Sequence, residues 1–203
     1  MGAMIVMVMS ILFIMALMGM TSHFQTSGAG RTFKRVLDIR TAIEAGESGI
    51  AEAVTAVRKS MDTGNTTAEC TDNWRQSLLS ALDTGGSPPQ GRRVVPKNAK
   101  DMFAAQGLTI SDVKVDVIDL FMPRPQPGQS PYDLELPQGV IEFSIEVSGS
   151  QPRLINVKKR IRQRRAFYVW IDPTTANANG DIDPTKSLFR LLSNSLGTVI
   201  ETP

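Results

Sequence analysis

The sequence predicts an α+β protein in which a long N-terminal helix, hydrophobic and then amphipathic, precedes a head with short helices and an antiparallel β-sheet. The first 20 residues are apolar except for Ser10. The next segment repeats apolar residues at the spacing of one helix face, and the later segments alternate apolar and polar residues as half-buried strands do. We therefore expect an apolar helix and joint over 1–30, an amphipathic helix over 31–61 and a globular head over 62–203.

Composition excludes several classes of protein. The 203 residues carry a formal net charge of +2 and are 41% hydrophobic, so the chain is neither strongly basic nor disordered by composition. Its single His23 and single Cys70 cannot form an internal disulfide or a zinc site of the usual type. We expect a non-enzymatic protein without cofactors. The rival enzyme hypothesis would use carboxylates such as Asp172, Asp181 and Asp183.

The apolar first segment has the length of a membrane-crossing helix. Twenty residues in a helix reach about 30 Å, close to the hydrocarbon thickness of a bilayer. The segment is too long for a secretory signal, and no positive charge precedes Arg31. We expect membrane residence at some stage, and packing against other helices through Ile5, Leu12, Ile14 and Leu17. The glycines at Gly28 and Gly30 are interpreted as a flexible joint.

The second segment predicts an amphipathic helix with one apolar stripe. Its stripe repeats every seven residues at Val36, Ile43, Ile50 and Val57. The stripe either packs on its own domain or is shared with other subunits. Gly46 and Gly49 lower helix propensity, so they either permit a close helix approach or mark a bend.

The head combines short helices with strands. Two short helices are predicted over "TDNWRQSLLSALDTGG", with Asp72 as a cap, and over "AKDMFAAQGL". Between them, "SPPQGRRVVPKN" predicts a loop. Strands are predicted over "VKVDV", "IEFSIEV" and "RLINVKKRIRQRRAFYVWID", and the apolar spacing of "LFRLLSNSLG" predicts a last short helix.

The longest predicted strand carries a row of basic residues on its polar face. The row consists of Lys158, Arg160, Arg162 and Arg164. It could contact phosphates or lipid head groups. It could also be a solvated edge that prevents strand addition, or pair with acidic residues of a neighbouring helix such as Glu44, Glu47 and Glu52. We favour a role within an assembly, and nucleic acid is not favoured because the chain is nearly neutral.

A second polar segment resembles a calcium loop. Its oxygen ligands would be Asn177, Asn179, Asp181 and Asp183. It lacks the closing Glu of an EF-hand, so an Asx-rich turn is the favoured interpretation and no metal is expected.

Several of these segments resemble subunits of type IV filaments, namely pilins, minor pilins and the pseudopilins of secretion systems. Members of the minor-pilin branch typically open with Gly-Ala or Gly-Phe before an apolar run, as Gly2 and Ala3 do here. They carry an A-x-E-A-G-x-x-x-A phrase about forty residues later, which "AIEAGESGIAEAV" approximates through Ala42, Glu44, Ala45, Gly46 and Ala51. The segment "EFSIEVSGSQPRLINVKKRI" is similar to the hairpin of these heads. Major pilins usually carry Glu where Ile5 stands, which favours a minor or tip subunit.

The resemblance implies a structural subunit of a type IV pilus or related secretion filament, assembled by packing of its apolar helix. Its partners would be copies of itself or other filament subunits. It implies a basic leader removed by a prepilin peptidase. It also implies residence in a bacterial inner membrane before assembly into a cell-surface or periplasmic filament. The alternative is a single-span, membrane-anchored scaffold or assembly protein with a soluble domain.

Overall fold

A computed structural model describes the chain except residues 1, 85–86, 121–138, 151–153, 155–156, 171–187 and 203. The side chains of residues 2–12, 23–25, 27, 82–84, 169–170 and 188 also lie outside the description. The chain divides into two compact units, Met1–Thr41 and Ala42–Pro203. Helices combine with an antiparallel sheet, which confirms the α+β class.

The first element, α1, is a single helix from Gly2 to Thr63. It continues as a helix through Gly28 and Gly30, where the sequence predicts a flexible joint. A glycine lowers helix propensity by about 1 kcal/mol, but it does not forbid the helical conformation. Within the described residues, no helix combines the length and the hydropathy expected of a membrane span.

The two predicted short helices of the head are confirmed as α2, Trp74–Thr84, and α3, Lys97–Ala104. The predicted cap of α2 is off by one residue. The Asn73 side-chain oxygen accepts a hydrogen bond from the Gln76 backbone N–H at 3.0 Å, as a capping residue does. Asp72 instead forms an ion pair with Arg92 at 2.8 Å.

A residue of α1 caps the other short helix. The Glu52 carboxylate accepts hydrogen bonds from the backbone N–H groups of Asn98 and Ala99, both at 3.1 Å. These N–H groups lie in the first turn of α3, where no intrahelical acceptor is available. Glu52 therefore ties α3 to the C-terminal half of α1.

Seven strands form one sheet within the described residues. They are β1 Arg92–Val94, β2 Leu108–Ile110, β3 Val113–Leu120, β4 Gly139–Gly149, β5 Lys158–Trp170, β6 Leu188–Leu191 and β7 Gly197–Glu201. The order is β1-β3-β4-β5-β6, with β2 also pairing with β4 and β7 with β5, and every pairing is antiparallel. The strand β1 lies where the sequence predicts a loop, so the loop is shorter than expected.

The last predicted helix is wrong, because its residues form β6 and the start of β7. Phe189 and Leu191, two residues apart, are both buried. The backbone of β6 pairs with the end of β5. Leucine spacing in so short a segment fits either a helix or a strand, and pairing with the sheet decides between them. Arg165 of β5 also donates hydrogen bonds to the carbonyl oxygens of Leu192 and Ser193, which follow β6 directly.

One face of the sheet packs closely against the part of α1 that begins at Ala42. A methyl group added at Gly46 would lie 2.2 Å from Cδ1 of Ile161, and one added at Gly49 would lie 2.5 Å from Cδ1 of Ile145. Both distances are far below van der Waals contact. The two glycines therefore permit a close helix approach, the first of the two roles that the sequence left open.

Candidate functional site

The predicted packing stripe of α1 divides into a buried and an exposed part. Ile50 and Val57 are buried in the core of the head, and Ile43 packs partly against it. Val36 is 57% exposed. The C-terminal positions of the stripe therefore pack on their own domain, whereas Val36 does not.

The N-terminal unit exposes large apolar side chains. Ile14 and Leu17 are 52% and 47% exposed. Ile5 and Leu12 are among the residues whose side chains lie outside the description. Among the described side chains of this unit, Phe13, Met15, Met18, Met20, Phe33, Val36 and Leu37 are also large, apolar and exposed. Because successive helical residues point about 100° apart, the side chains of residues 13–20 point in all directions around the axis.

The basic row is confirmed as one face of β5, opposite the face that packs on α1. Lys158, Arg160, Arg162 and Arg164 lie opposite alternate residues of β4 that are polar, namely Ser148, Glu146, Ser144 and Glu142. The strand is not an edge, because β4 pairs on one side and β6 and β7 pair on the other. The interpretation of the row as a solvated edge that blocks strand addition is therefore wrong.

Carboxylates of the same chain bind the three arginines of the row. Arg160 forms an ion pair with Glu146, and Arg164 donates to Glu142 at 2.9 Å. Arg162 pairs with Glu201 of β7, and its guanidinium lies 4.0 Å from Glu142. The fourth member, Lys158, is exposed. Most of the positive charge of the row is thus compensated within the head.

These ion pairs shift two pKa values on the surface of the sheet. The hydrogen bond from Arg160 lowers the pKa of Glu146 below its ordinary value and raises the pKa of Arg160. The positive charge of Lys158 lowers the pKa of Glu146 further. Both partners therefore stay charged at neutral pH, as an ion pair between two adjacent strands requires.

The same face of the sheet forms a shallow concavity of about 710 Å³. Four basic and four acidic side chains line it, together with Gly91, Ser111 and Ser144. Equal numbers of opposite charges give little net attraction for a polyanion such as nucleic acid. The concavity is a polar, charge-balanced surface.

Sequence reasoning did not identify the acidic partners of the arginines. Glu142 and Glu146 were recognisable as the polar face of one strand, but the strand register was needed to place them beside Arg164 and Arg160. Glu201 lies far away in the sequence, and only the pairing of β7 with β5 brings it to Arg162. The expected partner Glu52 instead caps α3 of its own chain.

The remaining chemical candidates do not form a described site. Asn177, Asn179, Asp181 and Asp183, the calcium candidates, lie outside the described residues. Among the residues that the structure describes, no group of three or more His, Cys, Asp or Glu side chains could hold a metal. Cys70 is buried, and this burial raises the pKa of its thiol.

Comparisons with protein-family models, with curated proteins and with solved structures give no match.

Proposed function

We propose that this chain is a non-enzymatic structural subunit of a type IV pilus or related secretion filament. It assembles by packing its N-terminal helix against the helices of other subunits. The observation that carries the proposal is the exposed apolar surface of residues 13–20. The resemblance of the sequence to minor pilins and pseudopilins supports the same role.

The distribution of exposed side chains favours helices as the packing partners. Four apolar side chains point in different directions around the axis of α1, and each is at least 47% exposed; they are Phe13, Ile14, Met15 and Leu17. A single docking partner covers one side of a helix. Apolar residues on all sides are instead buried when a helix is surrounded by other helices or by lipid.

In the head, charged side chains pair with each other within the same chain, and this supports a structural role. Its arginine row is bound by Glu142, Glu146 and Glu201 of the same chain. The lining charges of the concavity balance each other. A ligand-binding site normally combines a mostly apolar pocket with a few polar groups, and this polar concavity lacks that composition.

The proposal includes residence in a bacterial inner membrane before assembly and a cell-surface or periplasmic location afterwards. Its support is the apolar sequence of residues 1–20, which contains one polar side chain. Membrane residence is tested separately, by expressing the full chain in a bacterium and extracting the membranes with alkaline carbonate. Retention in the membrane pellet is the expected result, and full release into the supernatant would contradict this part.

The assembly step is tested with Leu17→Lys. The purified chain is dispersed in detergent, the detergent is removed, and filaments are measured by sedimentation and negative-stain electron microscopy. A lysine at position 17 would bring an unpaired charge into an apolar packing interface, so we expect filaments to be lost.

The matched control is Met102→Lys on α3, where the native side chain is 60% exposed. Both substitutions change an exposed apolar residue to lysine, so they differ in the surface that they alter. Filaments formed as well by Leu17→Lys as by Met102→Lys would refute assembly through the helix. A wild-type chain that enters lipid vesicles as a monomer and forms no filaments would favour the membrane-anchored scaffold.

A further inference from the structure

The strand β7 forms an outer edge of the sheet. On one side it pairs with β5, with Gly197 opposite Arg164 and Glu201 opposite Arg160. Along its other side, no strand pairs with it within the described residues. Val199 is 54% exposed and Ile200 is 44% exposed. The backbone N–H and C=O groups on the outer side of β7 are therefore placed to hydrogen-bond with a further strand.

The one charged residue within β7 is Glu201 at its end, and Arg162 of the same chain binds this carboxylate. The sequence "SLGTVI" over residues 195–200 contains neither a charged residue nor a proline. The edge strand β1 carries the exposed residues Arg92 and Arg93, and β6 carries the exposed residue Arg190. Charged edges disfavour pairing with another chain, and neutral β-branched edges favour it.

We propose that β7 pairs with β7 of a second copy of this chain, antiparallel about a two-fold axis. In the alignment centred on Val199, this residue faces its own copy. Thr198 faces Ile200, and Gly197 faces Glu201. Antiparallel pairs of β-branched residues are favourable, and no two like charges face each other. A parallel arrangement would instead place the two Glu201 side chains beside each other.

Glu201 is compatible with this contact because Arg162 of its own chain already binds it. Pairing of the strands therefore buries no carboxylate without a partner. The contact is small, since each strand contributes five residues. A stable interface buries at least about 1,000 Å², so β7 pairing is a weak, concentration-dependent contact between heads.

Cysteine cross-linking tests the pairing directly. Val199→Cys places two thiols opposite each other at the centre of the proposed pair. Directly opposed residues of antiparallel strands have Cα atoms about 4.5–5.5 Å apart, which is within disulfide reach. The full chain is oxidised in a detergent that disperses the apolar helix. Cys70 is retained, because its thiol is buried.

The control for cross-linking is Met102→Cys, a similarly exposed position on α3. We expect disulfide-linked dimers to form much faster through position 199 than through position 102. Equal rates at the two positions would overturn the proposal. Cross-linking of Val199→Cys to an unrelated extended peptide, but not to itself, would also overturn it, because the partner would then be another protein.

A charge variant gives a second measurement that does not depend on thiol chemistry. Val199→Lys places two ammonium groups opposite each other, and we expect the self-association constant of the detergent-dispersed chain to fall about tenfold. Sedimentation velocity over a range of concentrations measures this constant. Circular dichroism of each variant checks that the head remains folded. An unchanged constant in a folded variant would contradict β7 pairing.

This contact is separable from assembly through the helix. Leu17→Lys should leave cross-linking through Val199→Cys unchanged, because the two residues belong to different units of the chain. Loss of filaments with retained cross-linking would support both proposals. Retained filaments with retained cross-linking would refute the packing of the helix and leave the strand pairing supported.

Discussion

Gly46 offers a quantitative test of how closely α1 approaches the sheet. In Gly46→Ala, the new methyl group would lie 2.2 Å from Cδ1 of Ile161 and 3.3 Å from a methyl group of Val147. Alanine gains up to about 1 kcal/mol in helix propensity. Overpacking in a close-packed core costs about 1–3 kcal/mol. We therefore expect a net loss of about 1 kcal/mol in the free energy of unfolding.

A second substitution removes the atom that causes the clash. Ile161→Val deletes Cδ1, and by itself it costs about 0.5–1.5 kcal/mol as a cavity-forming change. In the double variant, the alanine methyl occupies the space that Cδ1 leaves. The double variant should therefore be about as stable as the wild type, and the two changes should couple by about 2 kcal/mol.

Urea unfolding of the four proteins in mild detergent measures this coupling. Trp74 is buried in the head and its fluorescence reports unfolding. Gly30→Ala is the matched control, because nothing lies within 4 Å of its added methyl group. Additive effects within about 0.5 kcal/mol would show that the methyl group does not meet Ile161, and would refute the close approach.

Three further predictions concern the head. Glu52→Ala should lower the free energy of unfolding by about 1 kcal/mol through loss of the α3 cap, with Glu47→Ala near neutral; equal urea midpoints would contradict the cap. Burial raises the pKa of the Cys70 thiol, so this thiol should react slowly with a maleimide until the head unfolds. Rapid labelling of the folded chain would contradict the burial of Cys70. The hydrogen bond from Arg160 lowers the pKa of Glu146 in the folded state. The ion pair therefore adds to the free energy of unfolding above the unfolded pKa of Glu146, and this stabilisation is lost as the pH falls through the folded pKa. Arg160→Gln should therefore reduce the loss of stability on acidification, as measured by thermal unfolding across that range, and an unchanged pH profile would argue against the pair.

Local sequence patterns predict most of the elements of the head. The alternation of Val113, Val115 and Val117 against polar neighbours identifies β3, because each of these residues is buried. The apolar spacing and polar flanks of α2 and α3 identify both helices. These elements follow from their own side chains, so a short window of sequence contains the needed information.

At β6 and at Glu201, a distant segment decides the local structure. Leu191 fits the apolar face of a helix in sequence, but pairing with Phe167 on β5 places it in a strand. Gly28 and Gly30 suggest a joint, but isolated glycines are tolerated in a helix. Glu201 could not be assigned to Arg162, because that contact depends on the register between β7 and β5.

The ion pairs of the arginine row distinguish charged groups that are already paired within the chain from groups that stay exposed. A dense basic sequence suggests an external anion, but cross-strand register brings Glu142 and Glu146 to the same face. Pairing within the chain satisfies these charges, so a partner that used them would have to break existing ion pairs first. The apolar side chains of residues 13–20 and the outer backbone groups of β7 face no comparable competition within the described residues. Association of copies through either surface would therefore bury groups that the described part of the single chain leaves exposed.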